Sequence, residues 1–121
     1  MAEVMIHEFL LGFIKIYILQ CAEKEPVFGK EIHDYLESAG YNMSYGTLYN
    51  TFHGLESKGY LAHEDRNVNG KIRKYYNITD KGSEALAKAI EQTRFLFADI
   101  YSKSEDNFSA DKKQNKKLTG Q

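Results

Sequence analysis

The chain has 121 residues, 42% of them hydrophobic and 13% aromatic, which bounds it to one domain with a packed core. Its formal net charge is −1, so any affinity for nucleic acid must come from local placement of charge rather than bulk charge. The single cysteine, Cys21, excludes an internal disulfide and a cysteine zinc cluster and fits a reducing cytoplasm.

From Glu3 to about Ala22 the sequence predicts a helix that is apolar on more than one side. Val4, Ile6, Phe9, Leu10, Phe13, Ile14, Tyr17, Ile18 and Cys21 do not fit one stripe. A helix apolar this far round needs two burial partners, and a second subunit is the economical choice for one of them. Glu3, Glu8 and Lys15 break the run and no basic leader precedes it, so it reads as neither a signal peptide nor a membrane span. Cys21 in this setting reads as a buried structural thiol.

Pro26 marks the following turn. Phe28, Ile32, Tyr35, Leu36 and Ala39 then repeat at amphipathic spacing, and Gly40 stops this second helix. Gly29, just inside it, permits close backbone contact. Gly40 to Met43 is the turn of a helix-turn-helix and delivers the chain to Ser44, an N-cap. In the third helix Leu48, Phe52 and Leu55 recur at i, i+4 and i+7 and share one face. Gly59 falls where that helix ends. The opposite face carries Gly46, Asn50, His53 and Ser57, flanked by Thr47 and Gly54. Small and hydrogen-bonding side chains suit a helix that enters the major groove. A solvated helix face has the same composition.

The next stretch favours DNA. Tyr60-Leu61 opens a strand, Asn69-Gly70 is a strong hairpin signal, and Ile72 to Ile78 returns as the second strand. The hairpin carries Lys71, Arg73 and Lys74, which can meet phosphates. Lys74 shares parity with Ile72, Tyr76 and Ile78, so its face is the inner one and Arg73 is the stronger phosphate ligand. Thr79 caps a last helix in which Leu86, Ile90, Thr93, Phe97 and Ile100 form one stripe. Ala89, Leu96 and Tyr101 widen it, and Phe95 lies opposite. From Ser102 the composition turns polar, with Lys112, Lys113, Lys116 and Lys117 near the end. This segment reads as a solvated tail or a frayed extension of the last helix. The expected fold class is α+β, mainly α: a winged helix-turn-helix over 1–79, a dimerisation helix over 80–103 and a Lys-rich tail over 104–121.

Helix, helix, helix, hairpin and long helix is the order so far. Within it stand Gly29-Lys30-Glu31-Ile32, Gly46-Thr47-Leu48-Tyr49 and Leu55-Glu56-Ser57-Lys58-Gly59-Tyr60-Leu61. Arg73-Lys74-Tyr75-Tyr76-Asn77-Ile78-Thr79 and Gly82 complete the set. Together they resemble the PadR family of bacterial transcriptional regulators, over roughly Leu10 to Ile100. The resemblance implies a homodimeric repressor that joins through its first and last helices and releases DNA on binding a small, often aromatic effector. The single last helix resembles the short subgroup. Tyr49 matches a family tyrosine that lies near DNA; a ring packed against the second helix fits the same position. Two departures stand out. Relatives commonly carry basic residues where this chain has His53 and Gly54, and often proline where it has Asn50.

The candidate DNA-binding residues are therefore Ser44, Tyr45, Thr47, Tyr49, Asn50, His53, Lys71, Arg73 and Lys74. Phe9, Phe13, Tyr17, Thr93 and Phe97 are candidates for an effector cavity. Leu10, Ile14, Leu86, Ile90, Leu96, Phe97 and Ile100 are candidates for the dimer interface. No cofactor is expected. His7, His33, His53 and His63 lack metal-ligand spacing, and no nucleophile-base set is apparent, which argues against an enzyme. A MarR-like or plasmid-maintenance regulator and a winged-helix protein-interaction module are the rival readings.

Overall fold

The computed structural model describes the backbone of residues 2–118 and the side chains of residues 8–105. Its elements are α1 (Ala2–Lys24), β1 (Val27–Phe28), α2 (Gly29–Ser38), α3 (Tyr45–Ser57), β2 (Leu61–Val68), β3 (Lys71–Ile78) and α4 (Asp80–Leu118). Contacts divide the chain after Ala87 into two units. The readings of Val4, Ile6, His7 and the four C-terminal lysines concern side chains outside the described residues.

The core of the first unit follows the apolar periodicity. Ile14, Ile18, Leu19 and Ala22 come from α1, and Ile32 and Leu36 from α2. Leu48, Phe52 and Leu55 come from α3, with Val27, Leu61 and Tyr76 from the sheet. Each large apolar side chain contributes roughly 1.5–3 kcal/mol on burial. Thr51 is buried with them, and its hydroxyl donates to the Thr47 carbonyl at 2.8 Å. The helix thus satisfies that polar group internally.

Local chemistry sets the ends of α3. The Ser44 hydroxyl oxygen accepts from the Thr47 N–H at 3.1 Å, which satisfies a donor that has no partner within the helix. At the other end Gly59 adopts φ 83°, and the Tyr60 N–H donates to the Leu55 carbonyl at 2.9 Å.

The sheet is antiparallel with strand order β1-β3-β2. Leu61 pairs with Ile78 at the foot of the hairpin and Arg66 with Arg73 further out. Asn69 (φ 54°) and Gly70 (φ 82°) make the two-residue turn, both left-handed as its geometry demands. The foot is tied to α4. The Thr79 N–H donates to the Tyr60 carbonyl at 3.1 Å, and its hydroxyl donates to the Gly59 carbonyl at 2.5 Å. The same hydroxyl oxygen accepts from the Gly82 N–H at 3.0 Å, the N-cap expected of Thr79.

Two details differ from the sequence reading. Val27 and Phe28 form a short strand against Tyr76 and Tyr75, so Phe28 is extended (φ −101°, ψ 128°) and precedes α2 instead of lying in it. Two residues are too few to show a period-2 pattern. A Cβ at Gly29 would meet the Phe52 ring at 3.7 Å, an ordinary contact; the close approach occurs at Gly82, where it would lie 2.1 Å from the Tyr60 carbonyl oxygen. Of the two readings of the segment from Ser102, the helical extension is the one seen, and α4 continues to Leu118. No glycine or proline falls between Ser83 and Leu118 to stop it.

In the second unit the helix is held by local contacts. The Thr93 hydroxyl donates to the Ala89 carbonyl at 2.6 Å, Lys103 pairs with Asp99 at 3.0 Å, and the Phe97 and Tyr101 rings stack at 5.8 Å. Phe95, Leu96, Ile100 and Tyr101 are exposed. Among the described residues no helix is long and apolar enough to cross a membrane.

Candidate nucleic-acid interface

The outward strip of α3 is set by which flanks its neighbours cover. One flank faces the hairpin. Glu56 Oε2 accepts from the His63 backbone N–H at 3.1 Å and lies 2.6 Å from His63 Nδ1, so that nitrogen carries a proton. The Lys74 ammonium sits 5.9 Å from the Tyr49 ring centre. The other contact runs to α2, where Tyr45 stacks on His33 at 4.4 Å. What remains open is the strip of Gly46, Asn50, Gly54 and Ser57, all exposed.

Two candidates on this helix are less open than Asn50. His53 is expected to face outward, yet its Nε2 is buried without a hydrogen-bond partner among the described residues, and its ring meets Tyr49 edge-on at 4.3 Å. At 100° steps His53 lies between the open strip of Gly46 and Ser57 and the flank of Tyr49, and its ring turns toward Tyr49. Thr47 is half-buried, and its hydroxyl oxygen accepts from the Ser44 hydroxyl at 2.9 Å. Capping occupies part of its hydrogen-bonding capacity. Tyr49 and Tyr45 remain half-exposed and Asn50 is open.

On β3 the parity reading separates the cations. Lys74 shares the inner face with buried Tyr76, while Arg73 lies on the outer face with Tyr75. Ile72 shares the inner face with Lys74 and Tyr76, yet it is 66% exposed because it lies near the turn of the hairpin. The outer face holds a stack that the sequence did not reveal. The Arg66 guanidinium lies 4.4 Å over the Tyr75 ring, Tyr75 stacks on Phe28 at 5.7 Å, and the Arg73 guanidinium lies 4.9 Å over Phe28. Such contacts hold a guanidinium in place at modest energetic gain. The only advance signal was the Arg73–Tyr75 alternation; Phe28 joins it through β1.

Between the start of α2, α3 and β3 lies a cleft of about 430 Å³. Phe28, Tyr45, Tyr49, Phe52 and Tyr76 supply its aromatic surface, and Lys30, Lys71, Arg73 and Lys74 its charge. Lys30 also pairs with Asp34 at 2.8 Å. That contact raises the lysine pKa and, with His33, lowers that of Asp34. Both side chains are more than half exposed.

Two of the effector candidates share a cavity within the first unit. Phe13 and Tyr17 line a cavity of about 250 Å³ with Leu10, Tyr35 and Leu36. Tyr17 stacks on Tyr35 at 5.8 Å, and its pKa is pushed up to about 12 by burial, then by Cys21 and Tyr35. Phe9 is 71% exposed and outside that lining, and Thr93 and Phe97 belong to the second unit. Of the dimer candidates, Ile14 and Leu86 are buried within the chain, and Ile14 also lines the cavity at Phe13 and Tyr17. Leu10, Ile90 and Phe97 are half-buried, while Leu96 and Ile100 are exposed.

A helix-turn-helix whose second helix is followed by a hairpin, with a third strand closing the sheet, defines a winged-helix protein. A family model described as "Transcriptional regulator PadR-like family" matches residues 18–88. The chain belongs to this family of transcriptional regulators. It is 38% identical over 81 residues to transcriptional regulator Rv3488 of Mycobacterium tuberculosis, a match covering 67% of this chain and 76% of that protein. Its structure is similar to that of a PadR family transcriptional regulator from Eggerthella lenta, with a TM-score of 0.72 and 31% identity over 84% of this chain and 89% of that one. It is also similar to a PadR-like transcriptional regulator from Bacillus cereus, with a TM-score of 0.70 and 26% identity over 78% and 94% of the two chains.

Proposed function

We propose that the chain acts in the cytoplasm as a homodimeric repressor that binds a pseudo-palindromic operator and releases it when a small aromatic effector binds. The observation that carries the DNA reading is the convergence of Tyr45 and Tyr49 on α3 with Lys71, Arg73 and Lys74 on the wing, around a cleft with no acidic residue in its lining, beside the open Asn50 of the same helix. A chain of net charge −1 concentrates positive charge there. Asn50 has the amide suited to adenine, Arg73 and Lys71 meet phosphate, and Ser44 and Tyr45 add polar groups at the start of the helix. Two-fold symmetry then sets half-sites about one helical turn, roughly 10 base pairs, apart.

Exposed apolar side chains support the dimer. Phe9 and Phe13 of the first unit and Leu96, Ile100 and Tyr101 of the second present surface that a partner copy would cover. The cavity at Phe13 and Tyr17 is the candidate effector pocket. The test is fluorescence anisotropy with DNA from upstream of the chain's own reading frame. Asn50→Ala should lose about 1–3 kcal/mol on the best site and little on random DNA. Arg73→Ala should weaken binding to all sequences and lower the salt slope by about one per subunit. Unchanged affinity and salt slope in Arg73→Ala would remove the wing from the interface and favour a protein-interaction module.

A further inference from the structure

We propose that Asn69, at the tip of the wing, is a site of spontaneous deamidation, and that the side chain of Asn67 sets its rate by holding the Gly70 N–H. The site rests on the chemistry of the turn alone. Its effect on DNA rests on the reading above.

Deamidation needs a backbone nitrogen that can reach the preceding asparagine side chain. Asn69 is the one asparagine in the chain that precedes a glycine, which leaves that nitrogen uncrowded. Asn50, Asn67 and Asn77 precede Thr51, Val68 and Ile78, whose branched side chains are stiff and bulky. Asn50 is also fixed inside α3, and Asn77 is fixed in β3 opposite Ala62. Asn69 and Gly70 are both exposed, and a Cβ built at Gly70 would meet nothing within 4 Å, so a ring has room to close. The bonds between Tyr60 and Thr79 fasten the opposite end of the hairpin, which leaves the tip to open first.

The step is an attack by the Gly70 nitrogen on Asn69 Cγ. Solvent hydroxide takes the Gly70 N–H proton and the N–Cγ bond forms. The Cγ–Nδ2 bond breaks, and its nitrogen leaves as ammonia with a proton from water. Water then adds to one carbonyl carbon of the resulting succinimide, and the bond from that carbon to the Gly70 nitrogen breaks. Opening at Cγ gives aspartate. Opening at the main-chain carbon gives isoaspartate, whose backbone runs through Cβ and Cγ. The balance is an amide plus water to an acid plus ammonia, with no change of oxidation state.

The turn carries a brake on the first step. The Gly70 N–H donates to Asn67 Oδ1 at 3.0 Å, so the proton that must leave is held by an acceptor. Removing that acceptor should speed the attack about two- to tenfold, the factor that one hydrogen bond carries. Either product places a carboxylate beside Lys71, the first residue of β3. Isoaspartate also lengthens the backbone of a turn that closes with two residues.

The test incubates the full chain without DNA in warm, mildly alkaline buffer and follows it by peptide mass spectrometry. The expected result is conversion at Asn69 ahead of every other asparagine, with two product peptides of equal mass and different retention. Asn67→Ala should convert about two- to tenfold faster. Asn67→Asp keeps an acceptor for the Gly70 N–H and should convert no faster than the parent. Earlier conversion at another asparagine, or none at all, overturns the site. Equal rates in the parent and Asn67→Ala, or a faster Asn67→Asp, overturn the brake. Asn69→Asp, which fixes the charge of the product, should weaken binding to all DNA sequences about tenfold, the order of one charge-assisted contact. Aged protein should lose affinity in proportion to its conversion. Conversion with DNA binding intact keeps the site and overturns its effect. A fresh chain that binds no DNA removes the regulator reading and leaves the site standing.

Discussion

Replacing Gly82 by alanine sets two effects of opposite sign against each other. Alanine in a helix is favoured over glycine by about 1 kcal/mol. The added methyl, however, would sit 2.1 Å from the Tyr60 carbonyl oxygen and 2.8 Å from Ile78 Cγ1. Carbon–oxygen contacts settle near about 3.3 Å, so α4 must withdraw from the foot of the hairpin by roughly 1 Å. Two hydrogen bonds cross that gap, from the Thr79 N–H to the Tyr60 carbonyl and from the Thr79 hydroxyl to the Gly59 carbonyl. Losing them costs about 0.5–1.5 kcal/mol each, and overpacking a further 1–3 kcal/mol or so. After the helix gain, the net loss is about 3 kcal/mol. Urea unfolding followed by circular dichroism at matched protein concentration measures it, with the midpoint falling by about 1–2 M. Gly54→Ala, where nothing lies within 4 Å of the new methyl, should move the midpoint the other way. A Gly82→Ala midpoint equal to or above that of the parent would refute the reasoning.

Gly70→Ala should cost about 1–2 kcal/mol in the same assay, because φ 82° suits glycine alone in that turn; no change would mean that the turn relaxes. Tyr17 supplies a pH dependence. Its pKa is raised to about 12, so folding favours the neutral phenol, and the stability it contributes is complete below about pH 10 and lost as pH rises to about 12. Thermal melts of Tyr17→Phe should therefore decline less steeply across that window, and parallel slopes would contradict the assignment. Leu96→Asp alters a side chain that is 56% exposed within the chain, so it should fold yet run as a monomer in light scattering, because an unpaired charge would be buried in the dimer. A dimeric Leu96→Asp protein would move the interface elsewhere.

The elements legible in the sequence were those with a local cause. The Leu48–Phe52–Leu55 stripe, the Ser44 and Thr79 caps and the Asn69-Gly70 turn each follow from bonding within a few residues. What escaped depends on distant partners. Val27 and Phe28 become a strand only because β3 passes beside them. The His53 ring packs on Tyr49, which Lys74 of the wing approaches, and no periodicity in α3 announces where the wing will lie. Ile14 and Leu86 are as apolar as interface residues should be, and both are buried within the chain. The cleft needed three elements to meet, so its cations and rings could be read singly from the sequence but not as one site.

The antiparallel register of β2 and β3 restricts how the wing can change length. Its two ends are fastened together at Tyr60 and Thr79, so added residues displace only the tip. One extra residue per strand would lift the turn by about 3.4 Å but send Arg73 to the inner face and Lys74 to the outer, reversing their roles. Two per strand would lift it by roughly 7 Å and keep every side chain on its own face. Wings on this scaffold should therefore lengthen or shorten four residues at a time, and the reach of the tip comes in steps of that size.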